Sequence, residues 1–220
     1  MELARLYSNR FSERERAQMA EFWKILCDDF LSRYVRPEDC VLDLAAGYCE
    51  FINNVRARRR IAVDANESAR SAAAPGVEFV HAPSTDLAAI AAASIDVAFV
   101  SNFFEHLPST DDLLRTLGEL WRVLRPGGRL LVIQPNIRLV PGRYWDFIDH
   151  HLPLTERSLV EALEMTGLEP VEVRPRFLPY TTKVRVPKAP WLLRLYLRLP
   201  PAQWLFGKQM WIVAVRPAGS

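Results

Sequence analysis

Three cysteines, nine glycines and a net charge of only +2 are what this 220-residue chain has little of, and each shortage excludes something. Cys27, Cys40 and Cys49 are odd in number and fit no metal-ligand spacing, so neither a disulfide framework nor a zinc site is expected, and a reducing compartment suits them. No uncharged apolar run approaches the roughly 20 residues of a membrane span. Glu2, Arg5 and Arg10 interrupt the first apolar runs, which a signal peptide would keep whole. A cytoplasmic protein is expected. The near-balanced charge lacks the basic excess of a dedicated nucleic-acid binder, so no such partner is expected. Acid is scarce in one stretch, however: from Val171 to Ser220 nine basic residues face Glu172 alone. That tail suits anionic partners, or is a solvated basic face.

What is present is a core. Half the residues are hydrophobic and a quarter charged, enough for one domain or two small ones. Helical periodicity runs from Glu13 to Tyr34, with Phe22, Ile25, Leu26, Phe30 and Leu31 on one face. Short apolar strands follow at Val41–Leu44, Ile61–Val63, Val77–Val80, Ile95–Val100 and Arg129–Ile133. The clearest helix between them is Asp111–Leu124, capped by Ser109 or Thr110 and stopped at Pro126-Gly127-Gly128. Strands alternating with helices predict an α/β, doubly wound, mostly parallel sheet. A further helix, Thr155–Thr166, and two late strands, Val171–Arg174 and Gln209–Val215, predict an antiparallel pair closing a seven-stranded sheet. Residues 1–36 read as a helical cap and 37–220 as the main domain, with 135–155 and 177–207 as loops on the side of a second ligand. Pro190–Leu199, apolar but for Arg194 and Arg198, suits a peripheral membrane contact through 190–200, a lid, or a core helix with snorkelling arginines.

The glycine shortage matters most in VLDLAAGYCE, residues 41–50. In an open parallel sheet, ligands bind beyond the carboxyl ends of the strands, and Asp43 lies near the end of the first. Gly47 lets the backbone turn tightly against a ligand. Asp64 ends the second strand about 20 residues on, the spacing at which a carboxylate reaches ribose hydroxyls. The two acids imply a nucleoside. A pyrophosphate-bearing dinucleotide would ask for three glycines in G-x-G-x-x-G spacing, and an acid would repel it; an amine or sulfonium suits Asp43 better. The local alternative for Asp43 is a cap on the following helix.

VLDLAAGYCE, IAVDAN (61–66), SIDVAFVSNFFEHL (94–107) and LWRVLRPGGRLLVIQPN (120–136) together resemble the class I S-adenosylmethionine-dependent methyltransferases, over roughly Val41 to Asn136. The resemblance implies S-adenosyl-L-methionine as cofactor, a Rossmann-like fold, and cofactor contacts at Asp43, Ala45, Gly47, Tyr48, Asp64, Ala65, Asp86 and Asn102. Ala45 and Cys49 stand where the family's D-x-G-x-G-x-G has its first and third glycines; the extra methyl at Ala45 fits if its φ is negative. Asp86, or backbone amides, would hold the adenine. Around Tyr7, Arg10, residues 135–155 and FLPYTTK (177–183) the chain is similar to bacterial methyltransferases of saccharide and cell-envelope pathways. That implies a small-molecule acceptor such as a sugar, free or on a lipid-linked glycan, with Tyr7, Arg10 and Asn136 on the acceptor side.

Methyl transfer from a sulfonium is an in-line displacement, and a hydroxyl acceptor needs a base. His106, after the fourth strand, is the candidate, with Glu105 to orient it or bind the acceptor; a loop-fixing hydrogen bond is the structural alternative. Tyr144 and Trp145 can stack on a sugar while Asp146 or Asp149 binds its hydroxyls, and His150 or His151 lines the same pocket; a packed loop is the alternative. Neighbouring histidines in an extended segment point apart, so no metal is expected of that pair. Two other functions stay open: a nicotinamide-dependent oxidoreductase, and a nucleoside-binding module without catalysis.

Overall fold

Seven segments rich in aliphatic and β-branched residues pair into one sheet. The computed structural model describes residues 13–180 and 190–219; Tyr7, Arg10 and the end of FLPYTTK lie outside them. The strands are β1 (Cys40–Leu44), β2 (Arg59–Asp64), β3 (Val77–His81), β4 (Ile95–Ser101), β5 (Leu124–Pro135), β6 (Glu169–Arg174) and β7 (Gln209–Val215). Their order is β3-β2-β1-β4-β5-β7-β6. β7 alone reverses, running antiparallel to both β5 and β6. The helices are α1 (Glu13–Asp29), α2 (Glu50–Asn54), α3 (Thr110–Val123), α4 (Glu156–Met165), α5 (Pro190–Arg198) and α6 (Pro200–Phe206).

Because side chains alternate along a strand, β1 serves two cores. Leu42 and Leu44 pack with Leu113, Leu117 and Leu120 of α3 and Leu159 and Leu163 of α4. Val41 faces the opposite way, toward Leu26 of α1, Phe51 of α2 and Leu193 and Leu197 of α5. All five β1 residues are buried, and each aliphatic side chain so covered contributes about 1.5–3 kcal/mol. Such coverage on both faces is what a central parallel strand requires.

Local signals set the helix starts. Ser109 Oγ accepts from the Asp112 N–H at 3.1 Å, and Thr155 and Ser158 form a reciprocal capping box at the start of α4. Two boundaries differ from the sequence expectation. α1 stops at Asp29 rather than Tyr34, and a short 3-10 turn, Leu31–Arg33, follows. The bend seats Phe30 against Phe177 and Trp211, with ring centroids 4.4 and 5.0 Å away. Pro126-Gly127-Gly128 lies inside β5 instead of before it, because Leu124 already pairs with Ile95 and the register shifts past it. A Cβ on Gly128 would stand 2.8 Å from the Arg125 carbonyl oxygen, so only glycine fits this irregularity.

α5 belongs partly to the core. Leu193 and Leu197 are buried, and Arg194 Nε pairs with Asp29 of α1 at 3.1 Å. Trp191, Leu195 and Leu199 face outward. No helix among the described residues is long and apolar enough to cross a membrane.

Candidate active site

β1, β2 and β4 are adjacent and parallel, so the segments leaving their carboxyl ends share one edge of the sheet. The first, residues 45–49, winds through left-handed backbone at alternate positions: φ is +58° at Ala45, +52° at Gly47 and +57° at Cys49. These are the three positions where the resembled motif carries glycine. The condition under which the Ala45 methyl would fit without strain, a negative φ, is therefore not met, and the left-handed backbone costs about 1–2 kcal/mol per non-glycine residue. Cys49 offsets part of that by burying its thiol completely, at the start of α2.

Asp64 ties this loop to the next. Its Oδ2 accepts from the Gly47 N–H at 2.8 Å and its Oδ1 from the Asn66 N–H at 2.7 Å. Each oxygen retains a lone pair, which is what two ribose hydroxyls require. Asp43 lies deeper, 4% exposed. Its carboxylate accepts from the backbone N–H of Ile52, and burial, reinforced by the charges of Glu50 and Asp64, holds its carboxyl well above the usual range. The helix-capping alternative thus describes its contact. Burial also pushes the Glu50 carboxyl up to about 7. Three carboxylates crowd this end of the crevice, an arrangement that a cationic ligand relieves. Tyr48 is half-buried between the two strained residues.

Around it, Ala65 is exposed and its carbonyl accepts from His81 Nε2 at 2.9 Å. Asp86 is exposed, its carboxylate accepting from the Ala88 N–H at 3.1 Å as a turn cap. Asn102, also exposed, sits at the tip of β4 with φ +48°, a conformation asparagine tolerates better than most residues.

From Asn102 the chain turns into a short 3-10 segment, Phe104–His106. Glu105 is 1% exposed, and its Oε2 accepts from Gln134 Nε2 at 2.6 Å. Burial raises its carboxyl pKa against the lowering by His106 and Gln134. His106 turns Nδ1 to Asp149, 2.9 Å from its carbonyl and 3.3 Å from its carboxylate. Nδ1 is thus the ring nitrogen that Asp149 holds. Residues 149–152 close onto this turn, since His151 N–H and Leu152 N–H both donate to the Glu105 carbonyl. His150 is buried with its ring against those of His106 (4.9 Å), Tyr144 (4.7 Å) and Phe147 (4.9 Å). His151 is exposed. The adjacent histidines point apart, and the inward one meets Glu105 and His106: these three bring one ligand atom each within 4.8 Å of one another.

Two expected acceptor contacts are corrected. Tyr144 is fully buried with its hydroxyl donating to the Leu152 carbonyl, so it is a core ring and not a stacking platform. Asn136 is fully buried too: its Nδ2 donates to Glu156 and the Pro175 carbonyl, and its Oδ1 accepts from Arg138 N–H. It braces the loop after β5. Trp145 and Asp146 are exposed beside them. The sequence reading missed Gln134 and Glu50. A polar residue closing the apolar run LLVI was the available signal for the first; nothing local marks the second.

A family model described as a methyltransferase domain matches residues 42–132. A relative from Mycolicibacterium smegmatis, named "Probable S-adenosylmethionine-dependent methyltransferase", is 36% identical over 118 residues, 51% of this chain and 44% of the relative. The chain thus spans less than half of that relative's length. Among solved structures, a chain from the complex of the Haloferax volcanii Trm112 methyltransferase activator with a methyltransferase superposes with a TM-score of 0.67 at 19% identity, covering 93% of this chain and 94% of the other. An Archaeoglobus fulgidus S-adenosylmethionine-dependent methyltransferase gives 0.66 at 18% identity, covering 89% and 94%. The Streptomyces coelicolor geranyl diphosphate C-methyltransferase, solved with Mg2+, geranyl diphosphate and S-adenosyl-L-homocysteine, gives 0.61 at 14%, covering 91% and 80%. At these identities the likeness shows the fold. Residues 42–132 are thus similar to a methyltransferase domain, and the described chain shares the fold of solved S-adenosylmethionine-dependent methyltransferases.

Proposed function

We propose that the protein transfers the methyl group of S-adenosyl-L-methionine to a hydroxyl oxygen of a small saccharide-like acceptor, free or lipid-linked. The observation that carries this reading is the pairing of His106 with Asp149 one strand away from the cofactor loop. The cofactor's ribose hydroxyls bind Asp64, and its positive groups lie toward the carboxylates of the β1 end. Its methyl then faces the turn at Glu105 and His106. The acceptor oxygen attacks that methyl carbon as the C–S bond breaks, the bonding pair staying on sulfur. The hydroxyl proton passes to His106 Nε2, and Asp149 steadies the resulting cation. Residues 135–155 form the acceptor wall in this proposal. Trp145, 54% exposed, beside the Asp146 carboxylate is a surface on which a sugar ring can stack while its hydroxyls are bound.

Calorimetry separates this reading from its rivals. Binding of S-adenosylmethionine and S-adenosylhomocysteine without NAD supports it; NAD binding supports an oxidoreductase, and no binding a module that has lost its ligand. Replacing His106 by Ala should leave cofactor affinity within about twofold and lower turnover at least tenfold. Full activity in that variant removes His106 from the mechanism.

We also propose a peripheral contact of α5 and α6 with an anionic lipid surface. Trp191, Leu195, Leu199, Trp204, Leu205 and Phe206 are exposed there, and Glu172 is the sole acid from Val171 onward. Aromatic side chains flanked by arginine suit an interface of that charge. A cytoplasmic location, in which the three buried free thiols stay reduced, completes the proposal.

A further inference from the structure

We propose that Glu105, His106 and His150 form a binding site for one divalent transition-metal ion, Mn2+ or Zn2+ by ligand type, which takes the acceptor hydroxyl as a further ligand. Ligand atoms about 2.1 Å from a common ion lie about 3–4 Å apart. The three side chains already bring theirs within 4.8 Å, so small side-chain adjustments seat an ion. Two imidazoles and one carboxylate are a donor set for a borderline divalent cation with open positions.

The surroundings are those of ordered ligands. Glu105 is anchored by Gln134 Nε2 at 2.6 Å, a neutral amide that supplies a hydrogen bond but no countercharge to a carboxylate only 1% exposed. His106 engages the Asp149 carbonyl and carboxylate through Nδ1, leaving Nε2 as the coordinating nitrogen. Imidazole ligands are oriented in this way by an oxygen partner on the other nitrogen. The His150 ring stacks on Phe147, with interplanar angle 24°, and meets Tyr144 edge-on, which fixes its plane.

The chemistry of this inference rests on the hydroxyl-acceptor reading; the site itself does not. A cation on the acceptor oxygen lowers its pKa, so the proton leaves to solvent, the oxygen forms its bond to the methyl carbon, and sulfur keeps the pair from the broken C–S bond. With the ion bound, His106 Nε2 is a ligand and solvent takes the proton; in the ion-free chain that proton passes to His106, as proposed above. An acceptor with a second oxygen beside the reacting hydroxyl, as in a vicinal diol, would fill two coordination positions and be preferred.

The test is a calorimetric titration of the chelator-stripped full chain with MnCl2 and with ZnCl2, alongside methyl transfer to a vicinal-diol saccharide before and after stripping. One ion per chain is expected, with affinity at least tenfold weaker in Glu105→Gln and in His150→Ala and unchanged in the exposed His151→Ala. Stripping should lower turnover at least tenfold, and the ion should restore it. Absence of binding by the wild-type chain, or binding that survives both Glu105→Gln and His150→Ala, overturns the site. Undiminished turnover after stripping overturns the metal's role while keeping the hydroxyl acceptor and His106 as base. An ion bound at full stoichiometry with no transfer to hydroxyl acceptors upholds the site and sinks the acceptor reading.

Discussion

Asp64 holds two loops with one carboxylate, so it is the residue whose loss is read most widely. Replacing it by Ala frees the Gly47 and Asn66 N–H groups and removes the proposed ribose acceptor. Cofactor binding should weaken by about 1–3 kcal/mol, with a lower melting temperature in the free protein. Unchanged affinity by calorimetry would put the nucleoside elsewhere. Glu50 gives a pH-dependent prediction. Burial raises its carboxyl pKa in the folded protein to about 7, above the 4.5 of an exposed glutamate, so between those values the folded state holds the proton more tightly than the unfolded chain. Its contribution to stability is therefore present at low pH and lost as pH rises through about 7. Relative to Glu50→Gln, the wild-type melting temperature should fall between pH 5 and pH 7.5, and saturating S-adenosylmethionine, a cation, should shrink that fall. Parallel melting curves for the two proteins would place no such carboxyl in the fold.

At the scale of elements, the sequence was most legible where local chemistry decides. Ser109 and Thr155 announce their helices because the cap is made within three residues. The strands are legible because β1 and β4 are apolar on both faces. The end of α1 was not, since the partners that bend the chain at Phe30 lie in β7 and near residue 177. The Pro-Gly-Gly stretch carried a breaker signal whose meaning depends on Ile95 across the sheet. Gly128→Ala should cost about 2 kcal/mol or more, because the new Cβ meets backbone oxygen rather than a movable side chain; a denaturation midpoint equal to wild type would refute the close approach. For α5 and α6, Trp191→Ala with Trp204→Ala should weaken sedimentation with vesicles containing phosphatidylserine several-fold, and added salt should weaken it further. Equal sedimentation with neutral vesicles, or none with either, would contradict the anionic-surface proposal.

Across the whole molecule, the proposed chemistry gathers at one edge of the sheet, with carboxylates after β1 and β2 and imidazoles after β4 and β5. Part of the candidate site was legible in advance: Asp43 and Asp64 lie at the ends of β1 and β2, and Gly47 and His106 in the segments that follow β1 and β4, where topology points to a ligand. The rest was hidden, because His150 reaches His106 only through the fold of residues 137–151, and the burial of Tyr144 and Asn136 follows from contacts with distant segments. The most direct measurement is a crystal structure with S-adenosylhomocysteine bound. Ribose hydroxyls on Asp64, with the sulfur directed at the turn holding Glu105 and His106, is the predicted result; a nucleoside bound away from Asp64, or a sulfur directed away from that turn, would contradict it.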